Sequence, residues 1–186
     1  MRVLLLLSLL MVCTGVSADI RQELQSLTEH LVIDGGGQLP SGGQIYLPVI
    51  IEDCYARQEY QPAWRDSDQA QRMLDSLRDS YAEGLSPDDY YYGELMALWS
   101  LRGQQWPERD RARGRFDVML TDGALLHIQH VARGKVDPRQ LDPTFNYVQL
   151  DFNMHTIAGE LQQAIAEDTI EDIVARLRPR WPFTTR

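Results

Sequence analysis

One long segment with a regular apolar pattern constrains the fold of this chain most strongly. From about Arg111 to Arg133, apolar residues recur at intervals of three and four, the spacing of one face of an α-helix. Gly134 follows at once and is expected to end the helix. The segment therefore predicts the longest helix of the chain. Its buried stripe would consist of Phe116, Met119, Leu120, Ala124, His127 or Ile128, and Val131.

Helix-start and helix-end signals divide the residues before this segment into shorter helices. Asp19 and Ser67 are expected to be N-caps, and Pro48 suits the first turn of a helix between them. The helix that Ser67 begins is expected to bury Tyr81 and to end at Gly84. We therefore predict short helices joined by well-signalled turns.

The residues after Gly84 predict the start of another helix. Ser86 and Pro87 supply a cap and a first-turn proline, and Asp88 and Asp89 place negative charge at the positive end of the helix dipole. Two such acids would also suggest glycoside hydrolysis, but that chemistry needs its carboxyl groups facing each other across a cleft. We interpret the pair as a dipole complement.

Two further helical patterns follow the turn-rich stretch at residues 136–143. Their apolar positions are Ile157, Leu161 and Ile165 in the first, and Ile170, Ile173, Val174 and Leu177 in the second. No segment alternates apolar and polar residues with a period of two, so no sheet is predicted. The fold class is predicted to be all-α, with six or seven helices in one bundle-like domain.

The first eighteen residues are expected to be a secretory signal peptide. An arginine at position 2 precedes an apolar run at residues 3–12, and small residues lead up to Ala18. A membrane-spanning helix needs about twenty apolar residues, more than this run contains. We expect cleavage after Ala18 rather than lipidation at Cys13, because Val12 occupies a position where the lipoprotein peptidase favours a small residue. The protein is therefore expected in the periplasm.

The charge of the chain disfavours one large class of partners. Lys and Arg number 18 against 27 Asp and Glu, so the formal charge is -9. Nucleic-acid binding requires clustered cations that neutralise phosphates, and we expect no nucleic-acid partner. One arginine cluster stands out, and we interpret it as a solvated helix start rather than as a site for an anionic polymer. Its members are Arg109, Arg111, Arg113 and Arg115.

One cysteine and two histidines are the main candidates for chemistry. Cys54 lies on an apolar stripe beside Glu52 and Asp53, and both burial and negative neighbours raise a thiol pKa. We therefore expect a buried side chain rather than a nucleophile. His127 and His130 are three residues apart on the long helix, but no further ligand motif completes a metal site. No metal and no cofactor are expected.

Three consecutive tyrosines, Tyr90 to Tyr92, suggest a contact surface. One face of a single helix cannot bury all three rings. At least one is therefore expected to be exposed, where it could contact a glycan or a protein.

Three strings, at residues 55–64, 81–90 and 116–138, carry a family pattern. The residues that carry it are Tyr55, Arg57, Tyr60, Pro62 and Trp64, then Gly84, Leu85, Pro87 and Tyr90, then Asp122, Gly134, Asp137 and Pro138. In this order and spacing they resemble the helical scaffold domain of large periplasmic L,D-transpeptidases, which crosslink Gram-negative peptidoglycan. The resemblance suggests this division of the chain: signal peptide 1–18, N-terminal helix and Gly-rich loop 19–44, scaffold-like domain 45–179 and tail 180–186.

The resemblance implies a module without catalytic residues. In the family, the scaffold domain precedes a peptidoglycan-binding domain and a catalytic domain with a Ser-His-Gly-Cys-x-Arg string, which this sequence does not contain. Cys54 matches that nucleophile in neither string nor surroundings, and Gly123 stands where the family tends to have alanine. We expect a non-enzymatic scaffold domain linked to peptidoglycan crosslinking, with peptidoglycan or a cell-wall enzyme as partner. A free-standing binding or regulatory module and a truncated remnant of a longer enzyme are the alternatives.

The motif residues are expected to have structural roles. Pro62 forbids continuation of a helix, and Trp64 would anchor the resulting turn in the core. Asp122 in the middle of the long helix would require a partner if it is buried, and Arg57 and Arg133 are the candidates.

Overall fold

A computed structural model describes residues 15–33, 36–102, 109–135 and 153–177 of the chain. Within these ranges, the side chains of residues 15–19 and 109 are left out of the description. The described residues form seven α-helices. They are α1 Gly15–Ile33, α2 Pro48–Arg57, α3 Ser67–Arg78, α4 Tyr92–Ser100, α5 Arg109–Arg133, α6 Met154–Glu167 and α7 Ile170–Leu177. These ranges contain no β-strand, only an isolated bridge between Gln38 and Gln44. The predicted all-α class is confirmed.

The long helix α5 lies at the centre of the fold. It packs against all six of the other helices, and every residue from 116 to 128 is buried. A helix that is buried on all sides must satisfy the polar side chains that it carries, since water cannot reach them. Those side chains are Asp117, Thr121, Asp122 and His127.

Helices α1 and α2 are joined by a glycine-rich loop that folds back on the end of α1. Gly37 N–H donates to the Leu31 carbonyl at 2.8 Å, and Ile45 N–H donates to the Gly37 carbonyl at 2.7 Å. Leu39 and Ile45 are buried, so the loop contributes to the hydrophobic core that the described residues form. Helix α1 begins at Gly15 and includes Asp19, which is therefore an internal position and not the expected N-cap.

Helix α3 differs from its prediction at both ends. Its N-cap is Asp66 rather than Ser67, because the Asp66 carboxylate accepts the N–H groups of Asp68 and Gln69 at 2.7 and 3.2 Å. The helix ends at Arg78, and a 3-10 turn, Asp79–Glu83, follows. The turn changes the direction of the chain, so Tyr81 is 69% exposed instead of buried.

The corner between α3 and α4 contains two left-handed residues. Gly84 has φ +75° and ends the first 3-10 turn, as its expected C-cap role requires. A second turn, Pro87–Tyr90, is separated from α4 by Tyr91, which has φ +60°. The three tyrosines therefore point in different directions. Tyr90 is buried and both Tyr91 and Tyr92 are partly buried, so the expectation that one of them is exposed was wrong.

Part of the third string falls outside the description. Gly134 has φ +79° and follows the end of α5, as predicted. Asp137 and Pro138 lie outside the described residues. Among the described helices, none is both long enough and apolar enough to cross a membrane.

Candidate functional site: two buried carboxylates of the central helix

The carboxylate of Asp117 connects α5 to α2 and to the turn that follows it. Its Oδ1 accepts the Tyr55 hydroxyl at 2.6 Å and the Ala63 N–H at 2.8 Å, and its Oδ2 accepts the Trp64 N–H at 3.1 Å. Thr121 lies one turn further along α5 and accepts the Trp64 indole N–H at 3.0 Å. One buried group on the central helix thus fixes the tyrosine and the tryptophan of the first string.

Burial dominates the ionisation of this cluster. The loss of water raises the pKa of Asp117, while the hydrogen bonds from Tyr55, Ala63 and Trp64 act in the opposite direction. Burial also raises the pKa of Tyr55, and the neighbouring Asp117 adds to that shift. The Tyr55 hydroxyl therefore keeps its proton at neutral pH and donates a hydrogen bond to the Asp117 carboxylate.

Asp122 is the second buried carboxylate, and it holds a different part of the chain. It accepts the backbone N–H groups of Tyr46 and Leu47 at 3.1 and 3.0 Å, together with the Tyr91 hydroxyl. Burial raises its pKa, and these three donors oppose that shift. Asp122 thus ties the segment before α2 and the corner before α4 to the centre of α5.

Of the two arginines expected as partners of Asp122, Arg57 was a wrong prediction. Arg57 instead pairs with Asp53 on its own helix, at 2.6 Å. The donors that Asp122 uses are neutral backbone and phenol groups. Such donors can stabilise a buried carboxylate without a cation, since each N–H or O–H dipole points at the negative charge.

The two carboxylates are suited to bracing rather than to acid–base chemistry. A general acid or base must reach the substrate proton directly or through one water molecule. Asp117 and Asp122 are buried, and both oxygens of each already accept hydrogen bonds from the protein. They therefore act as fixed connections between helices and loops.

Cys54 is buried, as predicted. Burial, followed by the charge of Asp53, raises the thiol pKa to about 11. The cavity beside it has a volume of about 10 Å³, and its lining includes Tyr55 and Thr121. A space of that size holds at most one water molecule.

The two histidines of α5 contact the corner that precedes α4. His127 is buried with its Nε2 at 2.9 Å from a Glu83 carboxylate oxygen, and His130 Nδ1 lies 3.0 Å from the Tyr90 hydroxyl. Asp89 forms an ion pair with Lys135 at 2.8 Å. Within the described ranges, no group of three or more His, Cys, Asp or Glu side chains is arranged to hold a metal ion.

The arginine cluster at the start of α5 is not uniformly solvated. Arg111 and Arg113 are exposed, as expected for a helix start. Arg115 is only partly exposed, because it pairs with Glu94 and donates to the Gly42 carbonyl at 3.0 Å. This residue therefore fastens the glycine-rich loop to α4 and α5.

A comparison with models of protein families identifies the family of the chain. The model described as the Scaffold domain matches residues 50–183, which is most of the chain. The chain belongs to the scaffold-domain family. The resemblance to the scaffold domain of L,D-transpeptidases, which rested on three strings, is thereby confirmed. No curated protein and no solved structure matches the chain.

Within the scaffold domain, residues of all three strings lie at contacts between elements. The first string supplies Tyr55 and Trp64 to the Asp117 cluster, and its Tyr60 hydroxyl lies 3.5 Å from Glu52 on α2. Pro62 precedes the Asp117-bound N–H groups, and its carbonyl accepts from Arg65 at 3.0 Å. The second string forms the corner, in which Leu85, Pro87 and Tyr90 are buried.

Asp117, Thr121 and Tyr46 complete the two clusters of this scaffold domain, and their roles were not predicted from the sequence. Asp117 and Thr121 are four positions apart on a helix that is buried all round, a spacing that places them on one face. That spacing was the available signal. Tyr46 carried no comparable signal, because its position depends on the path of the loop before α2.

Proposed function

We propose that this chain is a non-catalytic helical module of the L,D-transpeptidase type, which is exported to the periplasm and supports peptidoglycan crosslinking there. Its role would be to hold or present a transpeptidase domain. The match to the Scaffold domain over residues 50–183 is the observation that carries this proposal.

The geometry of the described residues is consistent with a module that holds a second domain in place. Three separate parts of the chain are bound to the middle of α5 through Asp117 and Asp122, so that helix and its attachments form a stiff unit. A stiff unit is what a supporting module requires, because fixed attachment points hold a second domain in one orientation. The single thiol of these residues, Cys54, is enclosed and protonated at neutral pH.

A crosslinking assay with the purified chain tests this proposal. The chain is incubated with muropeptides that carry a tetrapeptide donor. The products are separated by chromatography, and their masses are measured by mass spectrometry. We expect no crosslinked product and no adduct on Cys54. A crosslinked dimer formed by the wild-type chain but not by a Cys54→Ala variant would overturn the proposal.

Export is tested separately. A bacterium that expresses the chain is fractionated, and the intact mass of the product in the periplasm is measured. We expect a mature chain that begins at Asp19. A product that retains residues 1–18 and stays in the cytoplasm would remove the periplasmic part of the proposal.

A further inference from the structure

The corner between α3 and α4, residues 79–91, is fastened to α5 and to the residue just beyond its end by ionisable side chains. In each of the pairs that the structure shows, both members can gain or lose a proton. These pairs are Glu83 with His127, Tyr90 with His130, Tyr91 with Asp122, and Asp89 with Lys135. The attachment of the corner to α5 therefore depends on the protonation of these groups.

Two left-handed residues mark positions at which the corner can turn. Gly84 has φ +75° and Tyr91 has φ +60°, and they lie on either side of residues 85–90. Tyr91 has a large side chain, for which this conformation costs energy. The Ser80 hydroxyl of the preceding 3-10 turn is buried and has no hydrogen-bond partner among the described residues, which adds a second cost. The corner is thus held closed against local strain, so the loss of one attachment can release it.

The surroundings of His130 favour its neutral form while the corner is closed. Burial has the largest effect and lowers the pKa of the imidazole. The charged groups that act on it are Asp89 of the corner, His127 of α5 itself and Lys135 beyond the end of α5. Asp89 raises the pKa, but both of its oxygens lie 2.8 Å from Lys135 Nζ. Lys135 and His127 lower the pKa further.

Protonation of His130 changes its contact with Tyr90. Burial raises the pKa of Tyr90, so the phenol keeps its proton at neutral pH. In the tautomer that accepts a hydrogen bond from this phenol, the imidazole carries its own proton on Nε2, and Nδ1 is the acceptor at 3.0 Å. An imidazolium has donors only. The Tyr90 hydroxyl would then have to turn its proton away from His130, although the Tyr90 side chain is fully buried.

The other pairs that can take up a proton in mild acid respond differently. A proton on His127 gains the Glu83 carboxylate as a counter-ion, since the two groups are 2.9 Å apart. Burial raises the pKa of Asp122, but a protonated Asp122 still offers an oxygen that accepts the Tyr91 hydroxyl. Mild acid therefore acts against the closed corner mainly at His130.

We propose that the Tyr90–His130 contact is a pH-sensitive switch that holds the corner closed on α5 and releases it in mild acid. The open corner leaves His130 in water, where the imidazole has its ordinary pKa of about 6.5. Because the closed form has the lower pKa, this contribution to the closed state is full above about pH 6.5 and is lost as the pH falls towards the closed-state pKa.

Release of the corner would have a structural consequence. Residues 85–90 would move away from α5 by turning at Gly84 and Tyr91, and the buried side chains of Leu85 and Pro87 would become accessible. Such a switch would add regulation to the supporting module proposed above, and its geometry does not depend on that role.

NMR-detected hydrogen exchange of the purified chain between pH 7 and pH 5 tests the switch. The informative amides are those of Leu85 and Leu95, whose hydrogen bonds to the Ser80 and Tyr91 carbonyls span the two turning positions. After correction for the intrinsic pH dependence of exchange, we expect their protection to fall several-fold, while α2 keeps its protection. One proton permits at most about a tenfold fall per pH unit. Titration of the His130 ring signals should show protonation over the same pH range.

Two variants separate the switch from a general effect of acid. In His130→Asn, the amide oxygen can accept the Tyr90 hydroxyl but does not titrate, so the corner should stay closed at pH 5. His155 lies on α6 and pairs with Asp53 of α2 at 3.1 Å, and His155→Asn should keep the transition of the wild-type chain. Thermal melts at pH 7 establish that each variant is folded.

Three results would overturn the switch. They are unchanged protection of Leu85 and Leu95 in the wild-type chain at pH 5, an equal loss of protection in α2, and a transition in His130→Asn that matches the wild type. If His130→Asn does not fold, protonation of His130 outside the pH range of the wild-type transition would overturn it equally. None of these results bears on the supporting role, which the crosslinking assay tests separately.

Discussion

The hydroxyl of Tyr55 donates a hydrogen bond to the carboxylate of Asp117 at 2.6 Å, and both side chains are buried. The two residues lie on α2 and α5, far apart in the sequence. Their hydrogen bond attaches the first string of the family pattern to the central helix α5. The pair therefore offers the most direct measure of how much the internal braces stabilise the scaffold domain.

Removal of the Tyr55 hydroxyl should destabilise the domain. In Tyr55→Phe, the ring still fills its place in the core, but Asp117 loses one donor. A buried hydrogen bond to a charged group contributes about 1.5–3 kcal/mol, and we expect a loss of that order in the free energy of unfolding. Urea denaturation followed by circular dichroism measures it. Tyr81→Phe, at an exposed position, is the matched control and should change stability by less than about 0.5 kcal/mol. Equal effects in the two variants would contradict the brace.

The raised pKa of Asp117 predicts a specific dependence of stability on pH. Its pKa in the folded state lies above the unfolded value of about 3.9, so the folded state retains a proton that the unfolded state has released. The contribution of this group to stability is then full below about pH 4 and is lost as the pH rises through the folded-state pKa.

Comparison with Asp117→Asn isolates this contribution, because the other titrating groups are shared. The difference in unfolding free energy between wild type and variant should be largest near pH 4 and smaller at pH 7. Denaturant titrations across this range measure it. A difference that grows towards pH 7 would mean that the hydrogen bonds from Tyr55, Ala63 and Trp64 outweigh burial and lower the pKa.

Cys54 should be chemically silent in the folded domain. It is buried and its thiol pKa is raised to about 11, so both access and thiolate content are low at pH 8. Iodoacetamide should modify it slowly in native buffer and rapidly in concentrated urea, with intact-mass spectrometry as the readout. Rapid modification of the native protein would show an accessible thiolate at this position.

The fold could be predicted from sequence because the signals for a helix, its apolar period and its end residues, lie within or next to the helix itself. The period of apolar residues predicted the course of α5, and Gly84 and Gly134 ended elements as expected. Predictions of the boundaries were less accurate. Asp66 and Ser67 are both good N-cap residues, and in the structure it is the Asp66 carboxylate that accepts the first N–H groups of the helix.

The candidate site was harder to predict, because its contacts join distant parts of the chain. The sequence predicts an arginine partner for Asp122, because opposite charge is the signal that a sequence makes visible. The structure uses the backbone N–H groups of Tyr46 and Leu47, which every non-proline residue possesses. Tyr91 was expected on a continuous helix, but its left-handed conformation separated the three tyrosines.

The substitution Gly123→Ala tests how tightly the central helix α5 packs against the corner before α4. In the interior of an exposed helix, Gly→Ala stabilises by about 1 kcal/mol, because alanine has less freedom to lose on folding. A Cβ at Gly123 would lie 3.1 Å from the backbone carbonyl oxygen of Tyr90, closer than ordinary van der Waals contact, and that backbone is fixed by Tyr91 and Asp122. A Cβ at Gly159 on α6 would have no neighbour within 4 Å.

The two glycines therefore form a matched pair with different expected outcomes. Gly159→Ala should raise the free energy of unfolding by about 1 kcal/mol. Gly123→Ala should give no gain or a loss of about 1 kcal/mol, since the strain of displacing the Tyr90 backbone offsets the helix propensity. Chemical denaturation measures both, and NMR shifts of Tyr91 report on movement of the corner. An equal gain in both variants would show that the corner yields freely, and that the Asp122 brace does not hold it rigidly against α5.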